Sequence, residues 1–150
     1  MQRDILILRD PRESLKRCSL TPLRGKEGVR FVHYHPERRV EAEGRILLHT
    51  EGELLSSADE GGRLLLIDCN WRRVPKLLRT VDGPFTLRRL PALRTAYPRR
   101  STTFEDPGEG LASVEALYAA QCFLGGGPDP ELLAAYRWAD EFLALNPSLG

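Results

Sequence analysis

Short apolar runs separated by polar loops begin the chain and predict the strands of an α/β fold. DILIL (4–8) is a strand candidate followed by the loop signal RDPRE. Apolar and polar residues alternate over VRFVHY (29–34), as in a half-buried strand. The segment at 45–62 predicts a strand, a turn around Gly52 and a polar loop that ends in two glycines.

The run LLLI at 64–67 is continuously apolar, which predicts a central parallel strand covered on both faces. Asp68 follows it directly, and Trp71 comes three residues later. Pro75 fits the first turn of a short helix that ends near Thr80, because a helix beginning at Trp71 would place this proline in its interior. Asp68 is therefore not expected to be a simple helix cap.

Helical patterns follow in the last third of the chain. Residues 83–100 predict a strand-like piece and a basic, proline-punctuated segment, and residues 102–110 predict a loop. An alanine-rich helix is expected at 111–124, where a glycine triplet stops it. With strands first and helices later, the chain is predicted to be a single α/β domain.

A final helix is predicted after the glycine triplet, with Asp129 as its N-cap and Pro130 in its first position. It is expected to end at Asn146, before a proline. Its apolar stripe consists of Leu132, Tyr136, Ala139 and Leu143.

The chain has 150 residues, of which 41% are hydrophobic and 29% charged, as expected for one globular domain. No apolar run approaches the length of a membrane span, and the N-terminal MQRDILILRDPRE has too short an apolar stretch for a signal peptide. Three distant cysteines without a CxxC motif argue against a disulfide framework or a zinc ribbon. We therefore expect a cytoplasmic protein that does not bind a membrane.

The net charge of +1 hides a separation of charge along the chain. Residues 72–100 carry nine basic side chains and a single acid, whereas residues 101–150 carry eight acids and a single basic side chain. A block this basic in a near-neutral protein is typical of polyanion binding. The alternative is a solvated surface that pairs with the acidic C-terminal part.

Asp68 and Trp71 follow the predicted central strand, and open parallel sheets bind ligands beyond the carboxyl ends of their strands. A carboxylate there can accept a proton or orient a donor, and an indole can line an apolar pocket or stack on a base. The alternative is a loop aspartate that accepts backbone N–H groups beside a core tryptophan.

Other residues with possible chemistry give weaker signals. His33 and His35 would share one face of a strand, but no carboxylate or thiol at ligand spacing completes a metal site with them or with His49. No metal is therefore expected. Cys69 and Cys122 are interpreted as small buried residues rather than nucleophiles. The glycine triplet follows a helix, so it predicts a turn and not a phosphate-binding loop.

Five ordered segments together carry a family resemblance. They are DCNW (68–71), RRLPAL (88–93), TAYP (95–98), LASVEA (111–116) and YRWADEFLALN (136–146). These segments resemble Asp-Cys-Ser-Trp, Arg-x-Leu-Pro-x-Leu, Ala-Ala-Asn-Pro, Leu-Ser-x-x-Glu-Ala and Phe-x-Trp-Gly-x-x-Phe-x-x-x-Asn. Those motifs belong to the small-subunit ribosomal RNA aminocarboxypropyltransferases, a family in the SPOUT superfamily of knotted S-adenosylmethionine-binding proteins.

Two upstream segments extend the resemblance, and three positions depart from it. DPRESLKRCS (10–19) and LLSSAD (54–59) are similar to the family's Asp-Pro…Cys-Ser/Thr segment and Leu-Ser-Pro-Ala-Asp loop. Asn70 stands in place of Ser, Tyr97 in place of Asn, and the segment at 99–110 in place of an Asn-Tyr-Gly stretch. YPRRS also resembles the DTW-domain enzymes, which place the same group on tRNA uridines.

The resemblance implies an open, mostly parallel sheet flanked by helices, with a C-terminal trefoil knot. It implies an N-terminal α/β part at 1–60 and a SPOUT-like cofactor-binding part at 61–150. The implied activity is S-adenosylmethionine-dependent transfer of the 3-amino-3-carboxypropyl group to a uridine or pseudouridine-derived base of rRNA, by a monomer. The same transfer to tRNA uridine, or a non-catalytic RNA-binding ribosome assembly factor, are the alternatives.

The resemblance also implies roles for single residues. Asp68 is implied as the base that accepts the proton of the ring nitrogen, and Trp71 as the wall beside the methyl group of S-adenosylmethionine. Glu115 is expected to orient this loop or to cap its own helix. The implied S-adenosylmethionine contacts besides Trp71 are Ser19, Leu90, Leu93, Leu111, Ser113 and Glu115. The implied RNA contacts are Arg72, Arg73, Lys76, Tyr97, Arg99 and Arg100, of which Tyr97 stacks on a base.

Overall fold

The computed structural model describes residues 3–13, 18–98 and 111–149. The strands in these ranges are β1 (Ile5–Arg9), β2 (Val29–His33), β3 (Val40–Glu41), β4 (Ile46–Leu54), β5 (Leu64–Asp68), β6 (Val81–Asp82) and β7 (Thr86–Arg89). The α-helices there are α1 (Val74–Leu78), α2 (Ser113–Leu124) and α3 (Ala139–Leu145). No helix in the described ranges has the length and hydropathy needed to cross a membrane.

A sheet of five strands in the order β2-β1-β5-β4-β7 forms the centre of the protein, and every neighbouring pair in it is parallel. β5 lies in the middle, as its uninterrupted apolar sequence predicts. The prediction of an α/β fold with a mostly parallel sheet flanked by helices is therefore confirmed. Because β5 separates β1 from β4, residues before and after position 60 share one sheet. The division at that position stays a prediction.

Alternate residues of the central strands face two separate cores. The odd-numbered apolar residues of β1 and the even-numbered ones of β5 pack with α2 and the C-terminal segment. Their alternates pack on the other face with Leu77 of α1 and with a parallel two-stranded ribbon, β3–β6. Both faces of the sheet are thus covered, and its carboxyl edge remains the place where polar side chains gather.

The turn after β5 agrees with the sequence interpretation. α1 begins at Val74 and has Pro75 in its first turn. A single turn of 3₁₀ helix precedes it at Trp71–Arg73, and Asn70 Oδ1 accepts the Arg72 N–H over 3.0 Å as its cap. Asp68 is therefore not the helix cap, as predicted.

The predicted turn at Gly52 is wrong, because β4 continues through this residue. The pairing of β4 with β7 shifts register between Leu48 and Glu53, which marks an irregularity in an otherwise continuous strand. A Cβ on Gly52 would lie 2.5 Å from the backbone of Leu87 and Arg88. The glycine therefore permits close approach of two backbones rather than a chain reversal.

The single helix predicted after residue 129 is also wrong. The segment forms a 3₁₀ turn at Pro130–Leu133 and then α3, with a bend between them. Asp129 caps no helix, because its carboxylate accepts two hydrogen bonds of 2.7 Å from Arg3. The bend orients Tyr136 and Trp138 toward the loop that precedes α2, where both make contacts described below.

Candidate active site

The carboxyl ends of β1 and β5 bring Arg9 and Asp68 together. These residues are register partners, and Arg9 Nε donates to Asp68 Oδ2 over 3.1 Å. Their side chains are 1% and 2% exposed, so the ion pair is buried. The guanidinium carbon of Arg9 also lies 4.5 Å from the centre of the Phe31 ring. A charge pair is thus fixed at the edge where open parallel sheets bind ligands.

The Asp68 carboxylate joins three segments of the chain. Besides the bond from Arg9, Cys18 Sγ donates to Oδ2 over 3.2 Å and Ser113 Oγ donates to Oδ1 over 3.4 Å. A carboxylate offers about four acceptor positions, so these contacts leave one, on Oδ1. The role of Asp68 as a base stays a prediction, and this is the acceptor position that it would use.

Two further carboxyl groups follow β1 at the same edge. Asp10 is 1% exposed and accepts from the Arg73 guanidinium, and one of its oxygens accepts the Arg12 N–H over 3.1 Å. Burial raises the pKa of the half-buried Glu13, and the charges of Asp68 and Asp10 raise it further. The sequence analysis did not single out Glu13, although a loop directly after a parallel strand is where such a group is expected.

Ser19 and Ser113 meet at the beginning of α2. Ser19 Oγ accepts the Val114 N–H over 3.0 Å, and it therefore satisfies a first-turn donor of the helix from a distant part of the chain. Ser113, one residue earlier, faces Asp68. The structure thus brings together three of the predicted site residues, Ser19, Asp68 and Ser113.

Glu115 is the most heavily hydrogen-bonded of the predicted residues. Its side chain is fully buried and accepts four hydrogen bonds between 2.6 and 2.9 Å. The donors are Thr95 Oγ1, the Ala96 N–H, the Ala112 N–H and the Tyr136 hydroxyl. The expectation that Glu115 orients the loop or caps its own helix is confirmed in both parts.

Asn146 holds the same loop from the opposite side. Its Oδ1 accepts the Arg94 N–H, and its Nδ2 donates to the Arg94 carbonyl, both over 2.8 Å. Nδ2 also donates to the Phe142 carbonyl within α3. Sequence reasoning placed Asn146 in a motif but gave it no role. The signal was available, since a buried asparagine at the end of a helix needs partners for both its groups.

The apolar residues predicted to contact a cofactor lie around this loop. Leu90, Leu93 and Leu111 are half-buried and pack against the core that contains α2. Together with the hydrogen bonds from Glu115 and Asn146, these contacts fix the backbone of residues 90–97. We name this segment the clamped loop.

Tyr97 ends the clamped loop in an aromatic contact. Its ring meets the indole of Trp138 edge-on, with the ring centres 5.2 Å apart. Tyr136 meets the same indole at 5.8 Å. Trp138 was not among the predicted site residues.

The cations expected to bind RNA differ in their surroundings. Trp71 is 40% exposed, and the guanidinium carbon of Arg72 lies 5.4 Å from its ring centre. Lys76 is exposed on α1. Arg73 instead pairs with the buried Asp10, which assigns it a structural partner. The predicted contacts Arg99 and Arg100 lie outside the described residues.

The basic block at 72–100 does not form one surface. Its first members lie on and before α1, on the face of the sheet that α1 covers. Arg88 lies on the edge strand β7, and its Nε is 3.2 Å from Asp59 Oδ1. The acids Asp129 and Glu131 of the C-terminal part pair with Arg3, which is outside the block.

The thiols at this edge are predicted to be unreactive. Burial raises the pKa of Cys18 to about 11 and that of Cys69 to about 12, and the charges of nearby acids add to both. We expect iodoacetamide at pH 8 to label both thiols more than about a hundredfold more slowly in the native protein than in urea, because thiolate is scarce in the fold. Mass spectrometry of each site measures the rates, and native labelling of Cys18 as fast as in urea would contradict the prediction.

Within the described part of the chain, no three His, Cys, Asp or Glu side chains form a group that could hold a metal ion. The polar groups at the carboxyl edge bond to one another and to the clamped loop instead. Fold and site together define a parallel α/β protein with a rigid loop beside a buried Arg–Asp pair.

Two known proteins resemble this chain, although no family model matches it. One is the 16S rRNA aminocarboxypropyltransferase of Halobacterium salinarum (strain ATCC 700922 / JCM 11081 / NRC-1), which is 34% identical over 93 residues. This match covers 61% of the chain and 53% of that protein, so it spans about half the length of the curated relative. The other is the solved structure of the SAM-dependent rRNA:acp-transferase Tsr3 from Vulcanisaeta distributa. It superposes with a TM-score of 0.72 at 27% identity, covering 99% of this chain and 80% of that one.

Proposed function

We propose that this protein transfers the 3-amino-3-carboxypropyl group of S-adenosylmethionine to a uridine or pseudouridine-derived base of ribosomal RNA. The observation that carries the proposal is the likeness to the Vulcanisaeta distributa transferase over 99% of this chain. The named activity of the Halobacterium salinarum relative agrees with it. The RNA partner is carried over from the same two names.

The described residues suit a donor of this kind. Leu90, Leu93 and Leu111 offer half-buried apolar surface, and Trp71 offers a partly exposed ring. The clamped loop holds its backbone in place before any ligand binds, since Glu115 and Asn146 already fix it. Such preorganisation favours transfer, because orientation of the reacting groups can lower a barrier by roughly 7–11 kcal/mol.

When bound, S-adenosylmethionine supplies an electrophilic carbon on a sulfonium; attack there forms the C–N bond, the C–S pair returns to sulfur, and 5′-methylthioadenosine leaves. The protein must accept the proton that the ring nitrogen loses. We assign this to Asp68, through its remaining acceptor position on Oδ1. Trp71 is assigned to the wall beside the methyl group.

The remaining predicted contacts are part of the same proposal. Ser19, Ser113 and Glu115 act by holding α2 and the clamped loop, since their oxygens bond within the protein. Arg72, Lys76 and the residues at 99–100 are assigned to RNA phosphates, and Arg73 to the same surface through its pair with Asp10. Tyr97 is assigned to the RNA side of the clamped loop.

The finer statement of the fold is also a proposal. We infer a SPOUT-type arrangement with a C-terminal trefoil knot, an N-terminal part at 1–60 and a cofactor-binding part at 61–150. We further propose that the protein works as a monomer in the cytoplasm. The parallel sheet and the TM-score of 0.72 support this proposal.

The proposal is tested by supplying S-adenosylmethionine labelled either in the carboxyl carbon or in the methyl group, together with total RNA. We expect the carboxyl label, and not the methyl label, to enter small-subunit rRNA. Methyl label alone would instead indicate a methyltransferase. Carboxyl label confined to tRNA would move the substrate to the DTW-like alternative, and no label in RNA that still binds would leave an assembly factor.

A further inference from the structure

A closed circuit of contacts connects the clamped loop with the C-terminal segment. Glu115 accepts from Thr95 and from Tyr136, and Tyr136 packs on Trp138. Trp138 packs on Tyr97, whose N–H donates to Thr95 Oγ1 over 3.0 Å. The circuit therefore returns to its starting residue, and it sets the position of the Trp138 indole relative to the loop.

The outer member of this circuit carries a cation. Trp138 is half-buried, and the guanidinium carbon of the exposed Arg137 lies 5.4 Å from its ring centre. Both tyrosines meet the indole edge-on, at 70° and 68° between the ring planes, so neither stacks parallel on it. An indole held in this way, next to a flexible cation, has the chemistry that single-stranded nucleic acid uses for base stacking and phosphate contact.

The charges around Trp138 are mixed, which makes stacking the main expected contribution. Asp140 and Glu141 are exposed at the beginning of α3, and Arg137 stands against them. Phosphate attraction alone is therefore weak here. A base held by the indole, with Arg137 on the adjoining phosphate, does not need a strongly basic surface.

We propose that Trp138 stacks on a base of the RNA substrate and that Arg137 contacts an adjoining phosphate, which makes them substrate-positioning residues beside the clamped loop. The inference rests on the proposed function, because RNA is the partner named there. It adds a contact that the sequence did not indicate, on the side of the loop that Tyr97 faces. The acceptor base would thereby be oriented before transfer.

Tryptophan fluorescence tests the proposal directly, since the chain has two tryptophans. In a Trp71→Phe protein, Trp138 is the remaining reporter. Addition of a mixed-sequence single-stranded RNA of about ten nucleotides is expected to quench its emission, and an abasic RNA of equal length and charge is expected to quench it far less. Binding of each RNA is followed in parallel by anisotropy of a terminal dye. Binding without quenching would overturn the proposal.

Affinity measurements provide the second test. Trp138→Ala is expected to weaken RNA binding about 5- to 150-fold, the range for loss of a single stacked base, and Trp138→Phe to weaken it less. Arg137→Ala should reduce the slope of log affinity against log salt by about one. Arg24→Ala, an exposed arginine in another part of the chain, is the control and should alter the salt slope by less.

The outcomes separate this inference from the proposed function. S-adenosylmethionine affinity, measured by calorimetry, should be unchanged in Trp138→Phe, since the phenyl ring can keep the packing on Tyr97. Carboxyl-label transfer by the wild type together with wild-type RNA affinity in Trp138→Ala would overturn only the stacking role. Failure of the wild type to bind or label any RNA would overturn both.

Discussion

Replacing Glu115 with alanine is expected to lower the free energy of unfolding by about 3–5 kcal/mol. The substitution leaves four donors without their acceptor, namely Thr95 Oγ1, the Ala96 and Ala112 N–H groups and the Tyr136 hydroxyl. An unsatisfied buried donor costs about 1–3 kcal/mol, and water entering the cavity recovers part of the sum. Urea unfolding followed by circular dichroism measures the change.

Two matched variants show whether the hydrogen bonds are the cause. Glu115→Gln keeps the size and one acceptor oxygen, so it should be less destabilising than alanine. Glu141→Ala removes an exposed acid of α3 and is expected to remain within about 0.5 kcal/mol of the wild type. If Glu115→Ala is as stable as Glu141→Ala, the circuit around Glu115 has no energetic weight.

Loss of Glu115 should also weaken S-adenosylmethionine binding through the clamped loop. Tyr136→Phe tests this more gently, because it removes a single donor and leaves the ring that packs on Trp138. Burial raises the pKa of Tyr136, and its hydrogen bond to Glu115 raises it further. The phenol therefore remains a donor across the neutral and mildly alkaline range. Calorimetric affinities for these variants at equal folded fraction measure the effect.

Local pattern was sufficient to predict the elements whose surroundings their own sequence reports. The four apolar residues before Asp68 identified the middle strand, because only a strand covered on both faces dispenses with alternation. Pro75 identified the beginning of α1, because proline is tolerated in few helical positions. Neither inference needed knowledge of a distant residue.

The elements that failed depend on distant partners. Gly52 was interpreted as a turn, whereas its small size serves the approach of β7, more than thirty residues later. Asp129 has the sequence of an N-cap, but Arg3 at the other end of the chain binds its carboxylate. The charge block between 72 and 100 likewise divided, since Arg88 pairs with Asp59 across strands that sequence distance does not relate.

The site itself was half predictable. Asp68 was found because of its place after the strand, yet its partner Arg9 was not, although β1 ends in a cation after the same kind of apolar run. Two such strands side by side bring those ends into register, so the pair was available to reasoning on topology. The four donors to Glu115 come from three separate segments, which no periodicity connects.

Asp68→Asn is expected to cost about 3–5 kcal/mol of stability, because Arg9 would remain buried without a counter-ion. Asp82→Asn is the control. Asp82 pairs with Arg39 where both side chains are roughly half exposed, so its loss should cost under about 1 kcal/mol. Thermal and urea unfolding measure both variants, and equal costs would mean that the Arg9–Asp68 pair has no special weight.

The same pair decides whether Asp68 acts in catalysis or only in structure. Arg9→Met combined with Asp68→Asn removes both charges, and the double variant should recover much of the stability that the single one loses. If Asp68 accepts the ring proton, transfer of the carboxyl label stays low in this recovered protein while S-adenosylmethionine still binds. Recovery of transfer together with stability would remove Asp68 from the chemistry. Glu13, whose pKa is raised beside it, would then be the next carboxyl group to replace.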